Sequence, residues 1–195
     1  MLDKYQGLAM RTAKMYADRN YNLIHAALGL ASEAGELATT INAAWMQLPF
    51  DPDNIVEELG DAFWFSAYLA QLMDARFEDL TLEPANASDM SNELAAAVLG
   101  RNPVALCMCL NAFAGDVATI VKSHVIYGKD LDDTMLLRKL QLYVTTLHLL
   151  SNIHDIPVDY VLTSNISKLQ QRYPGSYSDN EAIARKDKPR LVIVQ

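Results

Sequence analysis

The apolar residues of this 195-residue chain recur at the spacing of α-helices along almost its whole length. Alternation with a period of two, which is typical of a half-buried strand, occurs only at the extreme C-terminus, in residues 191–194. Because strand signals are so scarce, the chain is predicted to be all-α, a helical bundle. Helices are expected near residues 3–18, 22–47, 54–73, 89–99, 104–126, 131–153 and 157–173.

Local capping signals refine the helix boundaries. Asp53 is expected to cap the third predicted helix. Asp155 is expected to cap the last one, which then has Pro157 in its first turn. Beyond residue 175 the composition becomes polar, so residues 176–195 are predicted to form a less regular tail.

Composition excludes several classes of partner. The net charge is -8 and the chain has no long basic block, so a nucleic-acid partner is not expected. The first residues lack a secretory pattern and no uncharged apolar run reaches the roughly 20 residues of a membrane helix, so a cytoplasmic protein is expected. Cys107 and Cys109 have too few partners for a zinc site and are interpreted as reduced core thiols.

A weak internal repeat relates residues 10–82 to residues 90–175. A shift of 80 residues without a gap places residues 34–39 (AGELAT) over residues 114–119 (AGDVAT). Overall identity is low, and six matches in an Ala-rich helix can arise by chance. The matching helix–break–helix layout nevertheless favours a duplication, in which two helix pairs cover each other's apolar faces. The chain 1–195 is therefore predicted to be a single all-α domain.

Two pairs of acidic residues interrupt the apolar faces of consecutive predicted helices. Glu33 and Glu36 lie three residues apart, and so do Glu58 and Asp61, so each pair shares one helix face. Carboxylates that converge from two helices repel one another and are costly to bury. A hard divalent cation such as Mg²⁺, which prefers oxygen ligands, solves both problems.

Two other interpretations of these acids were weighed. The first is a pair of solvated acidic faces, which is the common explanation of a single Glu-x-x-Glu but a poor one for two such pairs about 20 residues apart. The second is a ferritin-like di-iron bundle, which requires Glu-x-x-His pairs. No His follows a Glu by three in this sequence. A Mg²⁺ site on Glu33, Glu36, Glu58 and Asp61 is therefore predicted.

The two acid motifs resemble the signature of the MazG-like, all-α nucleoside triphosphate pyrophosphohydrolases, a group that includes the dimeric dUTPase class. That signature is Glu-x-x-Glu followed by Glu-x-x-Asp on the next helix, here residues 33–36 (EAGE) and 58–61 (ELGD). Residues 22–30 (NLIHAALGL) and 165–174 (NISKLQQRYP) are also similar to the family. The resemblance is strong over residues 20–75 and partial over 110–185.

The resemblance implies hydrolysis of a nucleoside or deoxynucleoside triphosphate to the monophosphate and pyrophosphate. It implies that the four acids bind Mg²⁺, or Mn²⁺ as a substitute, and that one of them, such as Glu33, orients the attacking water. It also implies a homo-oligomer, either a dimer or a dimer of dimers, of the kind found in bacteria and, for some members, encoded by phages. A dUTPase or a diphosphate-using relative remains an alternative, as does a non-catalytic assembly protein with a structural metal site.

The second half of the chain departs from the signature. Under the 80-residue shift, the four acids are replaced in order by Phe113, Asp116, Arg138 and Gln141. That half is predicted to have lost its metal. One active site per chain is therefore expected, with acids from the first half and substrate contacts from the end of the second.

Six further residues are candidates for substrate contacts. Lys168 and Arg172 would share one helix face suited to a triphosphate, although a solvated basic face explains them equally well. The remaining candidates are Asn165, Tyr173, Lys122 and His25. The basic residues between Arg185 and Arg190 are typical of a solvated segment, and closure over the triphosphate is the alternative.

Overall fold

The computed structural model describes residues 2–81 and 101–187, which contain seven α-helices, one 3₁₀ helix and no strand. The all-α prediction is therefore confirmed. The predicted helix at 89–99 and the strand-like residues 191–194 lie outside the described residues. The helices are α1 Leu2–Met10, α2 Arg19–Trp45, α3 Pro52–Leu72, the 3₁₀ helix Phe77–Leu80, α4 Pro103–Val125, α5 Asp133–Ile153, α6 Val158–Arg172 and α7 Asp179–Ala184.

Four long helices form the bundle, as two antiparallel hairpins. The hairpin of α2 and α3 packs on the hairpin of α4 and α5, so that α2 contacts α4 and α3 contacts α5. Fully buried Leu30, Leu59, Leu110 and Leu140 supply one core residue from each helix. Because α1 and α6 pack on the outer side of α3, that helix is covered on several sides, which explains its long apolar run.

Capping in the structure differs from the sequence prediction at two helices. The side chain of Asp51, not Asp53, caps α3 by accepting a hydrogen bond from the backbone N–H of Asp53, and Pro52 occupies the first helical position. Pro157 is itself the residue before α6, not part of its first turn. Asp155 does not cap α6 but ends α5 with a positive φ of 55°, a conformation that Asp tolerates better than most residues.

The first helix was predicted to run to residue 18 but ends at Met10. The carbonyl oxygen of Ala9 accepts hydrogen bonds from the hydroxyl of Thr12 at 2.8 Å and from the indole of Trp64 at 3.2 Å. The amide of Asn22 bonds the backbone of Tyr16 on both sides, at 2.8 Å each. Side chains from α2 and α3 therefore satisfy the backbone that a longer helix would have paired internally.

The two hairpins repeat the same pattern of burial. In α2 and α4 the burial classes match almost position for position at an offset of 80 residues, and both helices end at that offset, at Trp45 and Val125. In α3 and α5 the match requires an offset of 81, which also superposes their left-handed terminal residues, Asp74 and Asp155. The predicted gapless register was therefore wrong in the second helix, because the connection between α4 and α5 is one residue longer. The repeat boundaries proposed from the sequence stay a prediction.

Helix α4 is relevant to two predictions from the sequence, one about membrane helices and one about the two cysteines. In the described part of the chain it is the one helix long and apolar enough to cross a membrane by length and composition alone. Its apolar face packs against α2 and α5, as expected of a core helix. Cys107 and Cys109 are both buried there, which confirms their interpretation as core residues.

Candidate metal and nucleotide site

Three of the four predicted ligands meet between the first two long helices. Glu33 and Glu36 project from α2 and Glu58 from α3, and one carboxylate oxygen of each lies within 4.8 Å of the other two. The i, i+3 spacing places the two α2 residues on one face, and the antiparallel hairpin brings the start of α3 to the same level.

Burial and the repulsion of neighbouring acids perturb two of these carboxylates, Glu33 and Glu58. Burial, reinforced by Asp61 and the two neighbouring glutamates, raises the pKa of Glu33 to about 8. Burial and the negative charge of Glu36 raise the pKa of Glu58 to about 7. Within residues 2–81 and 101–187, none of the three forms a salt bridge with a Lys or Arg.

The chemistry of this group suits a hard divalent cation. Its donors are all carboxylate oxygens, which are the ligands preferred by Mg²⁺ and Mn²⁺. A cation bound between the three carboxylates would attract each of them and so offset their mutual repulsion. The residues present therefore fit the metal that the sequence predicts.

Asp61, the fourth predicted ligand, is held by α6 instead of joining the other three. The ammonium of Lys168 lies 2.6 Å from both of its carboxylate oxygens, and the amide of Asn165 donates to Oδ1 at 2.8 Å. Asp61 still lies close enough to raise the pKa of Glu33 and Glu58. Asn165 and Lys168, which were predicted to contact substrate, thus contact Asp61 and so position the edge of the acidic group.

Tyr5 also belongs to this network, and the sequence analysis missed it. Its hydroxyl, on buried Tyr5 of α1, donates to Oδ1 of Asn165 at 2.9 Å and so fixes which end of that amide faces Asp61. Gly60 allows this arrangement because a Cβ there would lie 2.9 Å from Cβ of Asn165. A lone tyrosine 160 residues from its partner leaves no local sequence signal.

The acidic group lies on one wall of a cleft of about 520 Å³. Charged residues of both signs line this cleft, with the cations coming from the segment after α1, from α6 and from the C-terminal segment. Aromatic rings line much of the remainder. The acids are Glu33, Glu36, Glu57, Glu58 and Asp61; the cations are Lys14, Arg172 and Arg185; the aromatic residues are Tyr16, His25, Trp64, Phe65, Tyr173 and Tyr177.

His25 lies in the aromatic part of the cleft. Its ring makes edge contacts with Tyr16, Phe65 and Tyr68, with ring centroids 5.4 to 6.1 Å apart. Burial and the charge of Lys14 lower the pKa of His25, and its Nδ1 is buried without a hydrogen-bond partner. This places His25 where a nucleoside can reach it.

The other predicted substrate residues have different surroundings. Arg172 lines the cleft but is paired with Asp187 from the C-terminal segment. Tyr173 is 7% exposed and its ring packs on Tyr177. Lys122 is exposed on α4 and does not line the cleft within one chain.

In the second hairpin, the residues at the corresponding positions carry different charges. With the structural offsets, Glu58 corresponds to Lys139 and Asp61 to Leu142, so the predicted counterparts Arg138 and Gln141 were wrong by one residue. Lys139 bonds Asp116, the counterpart of Glu36, at 2.8 Å. An internal ammonium group thus neutralises the acid retained at this position.

Comparison with known proteins gives one match. The family model of the MazG nucleotide pyrophosphohydrolase domain matches residues 23–95, a segment that contains all four predicted metal ligands. No curated protein and no solved structure matches the chain significantly. The all-α bundle and the placement of the acid pairs agree with the family match. Residues 23–95 are therefore similar to that domain, and the match indicates nucleotide pyrophosphohydrolase activity in general.

Proposed function

We propose that this protein is a Mg²⁺-dependent hydrolase that cleaves a nucleoside or deoxynucleoside triphosphate at the α-phosphorus, releasing the monophosphate and pyrophosphate. The observation that carries the proposal is the convergence of Glu33, Glu36 and Glu58 on the wall of a cleft large enough for a nucleotide. The MazG family match supports the class of reaction.

Glu33, Glu36 and Glu58 would hold the metal, with Asp61 at the edge of the group. A bound divalent ion would neutralise phosphate charge and make a nearby water more acidic. Glu33 lies in this group and also lines the cleft, so its carboxylate can orient the attacking water and accept its proton. Lys168 and Asn165 act through Asp61, whose carboxylate they orient.

Other residues that line the cleft support a nucleotide as the substrate. Lys14 and Arg172 supply positive charge for phosphate groups, and Tyr16, His25 and Phe65 supply rings against which a base can pack. A nucleoside triphosphate can contact both the cations and the rings, whereas inorganic phosphate can contact only the cations. A nucleoside diphosphate or dUTP would use the same features, so substrate preference is a matter for the screen below.

The experiment is a pyrophosphate-release screen across the eight common ribo- and deoxyribonucleoside triphosphates and dUTP, with Mg²⁺, Mn²⁺ or EDTA. We expect turnover with either metal and none with EDTA. Release of orthophosphate instead of pyrophosphate would contradict the proposed bond cleavage. Nucleoside diphosphates tested in parallel would reveal the diphosphate-using alternative.

A matched pair of variants assigns the metal to the first hairpin. Glu36→Gln should lower turnover at least about 100-fold, because it removes a metal ligand and loss of a mere supporting partner already costs 10–100-fold. Asp116→Asn changes the corresponding acid of the second hairpin, which is paired with Lys139, and should keep normal activity. Equal losses in both variants, or activity in Glu36→Gln, would overturn the assignment. Titration with Mg²⁺ and a non-hydrolysable nucleotide would also test the assembly-protein alternative, which requires metal binding without nucleotide binding.

A further inference from the structure

The cations of the cleft are already paired with acids of the same chain. Lys14 and Arg172 both line the cleft, and each contacts an aspartate from the C-terminal segment, Asp179 and Asp187 respectively. Phosphate oxygens and carboxylate oxygens are bound by the same side chains with similar geometry. These pairs therefore occupy the donors that an incoming triphosphate needs.

The first pair joins Lys14 to Asp179 at the start of α7. The ammonium lies 2.6 Å from Oδ1 of Asp179, which also accepts a hydrogen bond from the hydroxyl of Tyr177 at 2.7 Å. The ammonium lies 5.6 Å from the ring centroids of both Tyr16 and Tyr177. The bond to Lys14 lowers the pKa of Asp179, so the aspartate is charged at neutral pH.

The second pair joins Arg172, the last residue of α6, to Asp187. Nε of Arg172 donates to Oδ1 of Asp187 at 2.7 Å and Nη2 donates to Oδ2, which gives a bidentate contact. The Asp187 side chain has no exposed surface. Arg172 follows Lys168 by one helical turn, so this contact lies beside the network around Asp61.

Polar contacts provide most of the attachment of residues 174–187. Helix α7 has no buried residue, and Ile183 is 82% exposed. Besides the two ion pairs, the backbone N–H of Tyr177 donates to the carbonyl of Arg11, and the Arg11 side chain donates to the carbonyl of Gly175, both at 3.0 Å. Two apolar residues of the segment, Tyr177 and Ala182, pack against the core and are only partly buried, so detachment costs less than it would for a core helix.

We propose that Lys14 and Arg172 form an anion subsite for the phosphate groups of the nucleotide, and that Asp179 and Asp187 occupy this subsite until the nucleotide displaces them. This inference rests on the proposed function, since it names the residues that bind the substrate of the same site. The C-terminal segment is then an internal competitor of the nucleotide, not only a cover over the cleft. Lys14 lies outside the region matched by the family model, so the match does not assign it.

The test measures binding of inorganic pyrophosphate to the full chain by isothermal titration in EDTA, which separates anion binding from catalysis. The double variant Asp179→Asn/Asp187→Asn should bind pyrophosphate at least about twofold more tightly than the wild type, because the two ion pairs no longer compete. Adding Lys14→Met to that variant should abolish the gain. Circular dichroism establishes that each variant is folded.

The matched control is Asp130→Asn/Asp155→Asn, which makes the same change in net charge at two exposed positions that do not line the cleft. An equal gain in the control would show a general charge effect and overturn the inference. So would unchanged affinity in the Asp179→Asn/Asp187→Asn variant.

A second measurement follows the segment itself. Trypsin cleavage after Arg185 or Lys186 should accelerate when pyrophosphate is added to the wild type, because a detached segment can adopt the extended conformation that the protease binds. Protection by pyrophosphate would mean that the aspartates stay in place, and would also overturn the inference. Tight pyrophosphate binding by a protein that hydrolyses no nucleotide would instead end the proposed function while leaving the anion subsite intact.

Discussion

The two glycines inside the acid motifs provide a stringent test of how α6 packs on α3. Gly60 lies against Asn165, where an added Cβ would be 2.9 Å from Cβ and 3.1 Å from Nδ2 of that residue. A Cβ cannot rotate away from its own backbone, so Gly60→Ala forces α6 outward by several tenths of an ångström. Gly35 has no neighbouring atom within 4 Å of the same position, so Gly35→Ala meets no obstacle.

The difference in stability can be estimated from these contacts. Alanine is favoured over glycine inside a helix by about 1 kcal/mol, and this gain applies at both positions. Overpacking costs about 1–3 kcal/mol and applies only at Gly60. Gly35→Ala should therefore stabilise the protein by about 1 kcal/mol, whereas Gly60→Ala should be neutral or destabilising by up to about 2 kcal/mol. For a chain of this size, the resulting gap of about 1–3 kcal/mol corresponds to roughly 2–12 °C in Tm.

The assay is thermal unfolding of both variants in EDTA, followed by pyrophosphate release with Mg²⁺. Displacement of Asn165 should also disturb Asp61, so Gly60→Ala should lose activity while Gly35→Ala keeps it. Equal Tm shifts for the two variants would refute the close packing of α6 at Gly60. Full activity in Gly60→Ala would refute the role assigned to Asn165.

Two further predictions follow from the same site. In the folded, metal-free protein the pKa of Glu33 is raised to about 8 and that of Glu58 to about 7. Above about pH 4.5 these two side chains therefore bind more protons in the folded state than in the unfolded chain. The Tm of the protein in EDTA should therefore fall as the pH rises from about 5 to 8, and Mg²⁺ should raise this Tm most at pH 8. A Tm that rises over this range in EDTA would contradict the inferred repulsion between the carboxylates. Tyr5→Phe leaves Oδ1 of Asn165 without its donor, so it should cost about 1–3 kcal/mol in urea unfolding and raise the Mg²⁺ concentration for half-maximal activity. Loss of stability with an unchanged Mg²⁺ dependence would limit Tyr5 to a structural role, because Asp61 would not have moved.

The sequence predicted those parts of the site that depend on local geometry. Helical spacing brings Glu33 next to Glu36 and Glu58 next to Asp61 within their helices, and a short connection forces the two helices to be antiparallel neighbours. The family resemblance added the expectation that residues near Asn165 contribute to substrate binding. It did not reveal that Asn165 and Lys168 contact Asp61, because the rotation of α6 about its axis is set by tertiary packing.

The contributions missed from the sequence come from segments far apart in the chain. Tyr5 contacts Asn165 across 160 residues, and Lys14 contacts Asp179 across 165. Helix α7 was also missed, although Ser178 caps it by accepting from the N–H of Glu181, a spacing that is visible in the sequence. The single-residue offset between α3 and α5 arose in a loop, where length changes are tolerated and leave no periodic signal.

A comparison of the two hairpins supports the cation site proposed for the first one. In the second hairpin, two of the four positions are apolar, Phe113 and Leu142, and both are buried, while the remaining Asp116 has Lys139 as its partner. In that half, the charge of the one remaining acid is balanced by a lysine of the same hairpin. In the first hairpin all four positions are acidic, and Lys168 contacts Asp61 but leaves the other three carboxylates without a salt bridge among the described residues. Since the same backbone arrangement accepts an internal ammonium group in one half, the contrast between the halves supports the metal site that we propose for the other.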